Sequence, residues 1–179
     1  MTRINILLFF LVVCSAAAMQ AQAPAPKPDP ALRKLSVLVG HWTYEGEQKP
    51  GPLGPGGKSS GEFSGQMILG GFFFQGRQTE KGALGNLVIW GYDALNKNFD
   101  FDAFLKGGTR MSGVVTISGN TFTWAGTVVA GKSYPVRGQI VVAADLMSGT
   151  ETGEISPDGK TWTPLFENRY TKVQPAAKK

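Results

Sequence analysis

The sequence predicts an all-β protein: a single antiparallel up-and-down barrel of about ten strands, closed at one end by a short N-terminal helix. Three observations predict it. Apolar and polar residues alternate in run after run, the period of a strand with one buried face. Glycine-bearing turns separate the runs, and 24 of the 179 residues are Gly. A meander of that many strands leaves two exposed edges unless the first meets the last, so closure is favoured over a flat sheet.

The chain opens on a targeting signal rather than on structure. Arg3 supplies the charged start, Ile4 to Val13 an apolar run, and Ala16-Ala17-Ala18 small residues for cleavage. The run is shorter than the roughly 20 apolar residues of a spanning helix, so no transmembrane segment is expected. Residues 1–23 are therefore assigned to a signal peptide. The product is expected to be exported, periplasmic or extracellular. Cys14 is preceded by Leu11-Val12-Val13, a poor lipidation box, so a lipoprotein is not expected. Without Cys14 the mature chain has no cysteine, which excludes disulfides, thiol nucleophiles and thiolate metal sites. The net charge is +5. Its basic residues do not cluster with aromatics, so a nucleic-acid surface is not expected.

Residues 24–31 are Pro-rich and read as an extended linker. The barrel domain spans 32–172, and 173–179 form a tail. Leu32, Leu35 and Leu38, with Val39, share one face of a short helix, and Gly40 is expected to cap it in a left-handed conformation. From His41 the pattern alternates, with Trp42 and Tyr44 on one face and His41, Thr43 and Glu45 on the other. The Pro/Gly-rich stretch from Lys49 to Ser60 is the one long loop, expected either as a lid at the barrel mouth or as a solvated connection.

Strands are predicted over 61–69 and 72–80, with Gly70-Gly71 as a two-residue hairpin. Others cover 86–92, 98–106, 109–118, 121–129, 134–145, 151–156 and 160–171. Turns fall at 93–97, Gly107-Gly108, Gly119-Asn120 and Pro157-Asp158-Gly159.

Gly40-x-Trp42 after a short helical turn resembles the opening of the first strand in the lipocalin and calycin superfamily. That resemblance implies a Trp packed under an Arg from a late strand. Arg169, within Glu167-Asn168-Arg169-Tyr170, is the matching residue, which makes Gly40, Trp42 and Arg169 the expected base of the barrel. Four blocks together resemble one uncharacterised bacterial family of small calycin-like barrels, a domain of unknown function. They are residues 35–42, 68–73, Trp90-Gly91-Tyr92-Asp93 and Ser156 to Trp162. The resemblance spans 32–172 and implies a fold and export but no activity. Haem-binding nitrobindin-like barrels use a late histidine, whereas the sole histidine here is His41, on the first strand.

Chemistry-bearing residues are sparse. His41 lies opposite Trp42 in the alternation, hence outward. A hydrolase or isomerase would need it beside a carboxylate such as Glu45 or Glu167. Asp100 and Asp102 share a strand face near Lys97 and Lys106, as a solvated face does. The turn at Asp158 resembles the Asp-box of sialidase propellers, but it is one residue short and occurs once, so a hairpin turn with Trp162 packed below is expected. No nucleophile elbow, phosphate loop or dinucleotide fingerprint occurs. Neither a catalytic set, a metal site nor a cofactor is expected.

Arg77, Arg110, Arg137 and Arg169 lie in strands. Pointing inward, they could bind an anionic ligand such as a carboxylate. Arg110 and Arg137 travel with polar residues, however, and outward placement is expected, with Arg169 the special case that caps Trp42 by a cation–π contact. The aromatic set is the pocket signal. Trp42, Phe72, Phe74 and Trp90, with Tyr92, Phe101, Trp124 and Tyr134, are the candidate ligand-binding walls. The expected role is binding a small, mostly apolar molecule. An envelope interaction module with a filled barrel and an exposed apolar patch is the remaining alternative.

Overall fold

The computed structural model describes residues 25–174. The signal, Cys14 and the last residues of the tail lie outside that range. Ten strands follow one another: β1 (Gly40–Gln48), β2 (Gly57–Ile68), β3 (Phe73–Glu80), β4 (Ala83–Asp93), β5 (Asn98–Leu105), β6 (Thr109–Ser118), β7 (Thr121–Ala130), β8 (Lys132–Val142), β9 (Ser148–Ile155) and β10 (Thr163–Lys172). Each pairs antiparallel with its sequence neighbours, and β1 pairs with β10, so the barrel closes. The seam runs from Trp42 opposite Lys172 to Gln48 opposite Phe166. No helix among the described residues is long and apolar enough to cross a membrane.

The N-terminal plug is a 3-10 helix, Pro30–Leu38. A 3-10 helix repeats every three residues. Leu32, Leu35 and Leu38 therefore fall on one line, and all three are buried. Asp29 caps the start, its Oδ1 accepting from Ala31 N at 2.8 Å, and Pro30 follows at the position where a missing N–H costs nothing. The Trp42 indole N–H donates to the Leu38 carbonyl at 3.3 Å, which ties the plug to β1. On β2, a Cβ at Gly65 would lie 2.3 Å from that same carbonyl, so only glycine lets the plug seat.

Gly40 has a different job from the expected helix cap. The helix ends at Leu38 with Val39 as its extended cap, and Gly40 opens β1 with φ +128°. A Cβ there would lie 2.9 Å from Lys172 Cε. Lys172 instead lies across Gly40 and sets its Nζ 4.9 Å from the centre of the Trp42 ring. The cation over Trp42 is thus Lys172. Arg169, the expected partner, is three residues earlier, on the outer face, where it approaches Glu167 at 3.8 Å. An odd number of steps along a strand reverses the face.

Other boundaries move slightly. β2 begins at Gly57, inside the expected loop, and β8 stops at Val142. The β2–β3 connection is a 3-10 turn at Leu69–Gly71 continued by Phe72 rather than a two-residue hairpin. Asp158 Oδ1 accepts from Lys160 N and Thr161 N at 2.8 and 2.7 Å, as in a hairpin turn. Those bonds hold its carboxyl down at about 2.

Candidate functional site

The helix seals the end where β1 begins. At the other end the turns β1–β2, β3–β4 and β5–β6 frame a mouth, and between lies a cavity of about 460 Å³. Leu53, from the Pro/Gly-rich loop, is half-buried and lines this cavity, so the loop covers part of the mouth.

One wall is aromatic. Trp42, Phe74, Trp90, Phe101 and Trp124 all line the cavity, as inward positions of β1, β3, β4, β5 and β7. Phe74 meets Trp90 edge-on at 5.9 Å, Phe101 meets Trp124 at 6.3 Å, and Trp124 stacks on Phe166 at 6.2 Å. Glycines make room for the rings. A Cβ at Gly153 would lie 2.6 Å from the Phe166 ring, and one at Gly76 would lie 2.7 Å from the Phe63 ring. The indole nitrogens of Trp90 and Trp124 are buried and meet no acceptor among the described residues, each indole being packed against two phenylalanine rings.

Three of the expected wall residues stand elsewhere. Phe72 sits in the β2–β3 turn, before the strand starts. Tyr92 packs against Phe99 at 5.0 Å, outside the cavity lining. Tyr134 is half-buried against the core near the start of β8 and does not reach the cavity.

The opposite wall is polar, and sequence reasoning missed it. Glu151 on β9 and Asn168 and Tyr170 on β10 all line the cavity. Tyr170 OH donates to Glu151 Oε2 at 2.8 Å, and Asn168 Nδ2 donates to the same oxygen at 3.3 Å. Glu151 is half-buried and lines the lumen. Burial raises its carboxyl above the usual range, against the pull of those two hydrogen bonds. Burial, then the Glu151 charge, pushes the Tyr170 hydroxyl well above the ordinary tyrosine value. Nearer the mouth, Tyr44 OH donates to Glu80 Oε1 at 3.3 Å, and burial pushes Tyr44 to about 12. Asn86 Nδ2 donates to Gln78 Oε1 at 2.6 Å.

His41 is exposed on the outer face of β1, opposite Ser64. Glu45 is four residues along the same strand, about 13 Å at the usual rise per residue. Glu167 pairs with Glu47, further still. The structure does not bring His41 together with either acid. The strand arginines are also outside. Arg110 binds Asp102 at 2.6 Å, while Arg137 binds Glu154 at 2.6 Å and stacks over Trp162 at 4.2 Å. No group of three or more potential metal ligands occurs among the described residues.

A family model described as "Protein of unknown function (DUF1579)" matches residues 27–172. No curated protein matches the chain. Among solved structures, the crystal structure of Rv2717c from M. tuberculosis is similar, with a TM-score of 0.55 and 14% identity over 83% of this chain and 100% of that one. At that identity the likeness is one of fold alone.

Proposed function

Starting from a chain that belongs to the DUF1579 family of proteins of unknown function, we propose that it binds a small molecule inside its barrel. The observation that carries this reading is the cavity of about 460 Å³, sealed by the plug and open at the other end. That volume falls in the range of small-molecule sites, roughly 300–1,000 Å³. The aromatic wall offers apolar contact to the body of a ligand. The Glu151–Asn168–Tyr170 wall offers hydrogen bonds to one polar group, so the ligand is amphiphilic rather than wholly apolar. An open cavity also argues against a filled, purely structural barrel. The signal-like segment 1–23 supports export of the loaded or empty protein.

Native mass spectrometry of protein purified from its own host tests both statements. A bound small molecule on a chain lacking residues 1–18 or more is expected. A ligand-free chain that also binds no amphiphile added at millimolar concentration overturns the binding reading, and an uncleaved N-terminus overturns export.

A further inference from the structure

We infer that the ligand carries a protonated amine, which docks on the free oxygen of Glu151. The inference rests on the lumen being a binding site and names the chemistry that this site selects. Glu47, Asp102, Glu154 and Glu167 each have a cation within 4.0 Å, all on the outside of the barrel. Of the two carboxylates that line the cavity, neither Glu80, at the mouth end of β3, nor Glu151 has such a cation among the described residues, and Glu151 is the one held by two donors. Its Oε2 accepts from Tyr170 and Asn168, while its Oε1 accepts from no group among the described residues. Lys106 is the single cation among the described residues that line the cavity. It sits in the β5–β6 turn at the mouth, four strands round the wall from β9.

An enclosed carboxylate without a counter-charge is costly, and a fold usually supplies one or replaces the acid. Here the fold supplies two donors to one oxygen and leaves the other facing the lumen. Aromatic rings stand nearby. Tyr170 lies 5.8 Å from Tyr44 and 5.9 Å from Phe63, and Phe166 covers Gly153, two residues from Glu151 on the same face of β9. A carboxylate with no counter-charge and aromatic rings close by is complementary to an ammonium group, chiefly by ion pairing. A neutral hydroxyl gains only a hydrogen bond there, and a carboxylate is repelled.

Calorimetry on the full mature chain at neutral pH with n-octylamine, n-octanol and octanoate tests this. We expect n-octylamine to bind at least tenfold more tightly than either of the others. Glu151→Gln should erase that preference, and a near-UV circular dichroism spectrum unchanged from the parent reports that the lumen is intact. Glu80→Gln should keep the preference. Equal binding of the three probes, a preference for octanoate, or an amine preference that survives Glu151→Gln overturns the inference while leaving the lumen as a binding site. Failure of all three probes overturns both. Should Glu151→Gln not fold, the ranking of the three probes on the unaltered protein still decides.

Discussion

Lys172 and Trp42 are partners across the seam between the last and first strands, and the Lys172 ammonium stands 4.9 Å over the Trp42 ring. The contact clasps the barrel at the end the plug closes. Lys172→Met keeps the stem and removes the charge, so it should lower unfolding free energy by about 0.5–1 kcal/mol, the size of a partly exposed cation–π contact. Arg169→Met should change stability by less, because Arg169 is exposed and its approach to Glu167 is long. Urea unfolding followed by tryptophan fluorescence checks both, and an equal loss in the two variants would refute the assignment.

Leu35 is fully buried where the 3-10 helix meets the barrel. Leu35→Ala should cost roughly 2–5 kcal/mol, the range for deleting a core leucine. It should also admit a quencher such as acrylamide to Trp42, which lies under the plug. A variant that unfolds at the same urea concentration as the parent would show that the helix is not part of the core.

The Glu151 carboxyl is raised in the folded state, chiefly by burial. Above the unfolded pKa the unfolded chain has lost the proton that the folded chain still holds, so stability falls as pH rises from about 4.5 through the folded value. In the ligand-free protein Glu151→Gln should remove that slope and be the more stable form at neutral pH. Thermal melts of both proteins between pH 4 and 8 measure the difference. A gap that does not widen with pH contradicts the burial of this carboxyl.

Gly153 lies under Phe166. In Gly153→Ala the ring must tilt off the new methyl, break its stack on Trp124 and lean into the lumen. The strain should cost about 1–3 kcal/mol. Near-UV circular dichroism should lose aromatic signal, and n-octanol should bind several-fold more weakly. Unchanged spectra and affinity would mean that the ring has room to spare.

Much of the fold is legible in the sequence because its signals are local and repeated. Alternation marks each strand, and Gly107-Gly108, Gly119-Asn120 and Asp158-Gly159 mark turns. Trp42 inward and His41 outward follow from parity alone. The polar wall is not legible in the same way. Parity places Glu151 with Gly149, Gly153 and Ile155, but two glycines give that face no apolar signature. On β10 the register shifts between Pro164 and Phe166, so counting from Leu165 puts Asn168 and Tyr170 on the wrong side. Lys172 escaped notice for a simpler reason. Its role depends on the seam, a pairing between residues more than a hundred positions apart, which no short window of sequence contains.

That seam has a consequence for how the molecule comes into being. While a ribosome still holds the last strand, β1 and β9 each present an unsatisfied ladder, and the plug has only a half-built wall to sit on. The native state is reachable only once β10 is free to pair with both, when Val173 N can donate to the His41 carbonyl at 2.8 Å. Because the first and last strands are neighbours, the barrel is suited to permutation: with residues 25 and 174 joined by a flexible peptide and the chain reopened at the Gly119-Asn120 turn, it should fold to the same cylinder.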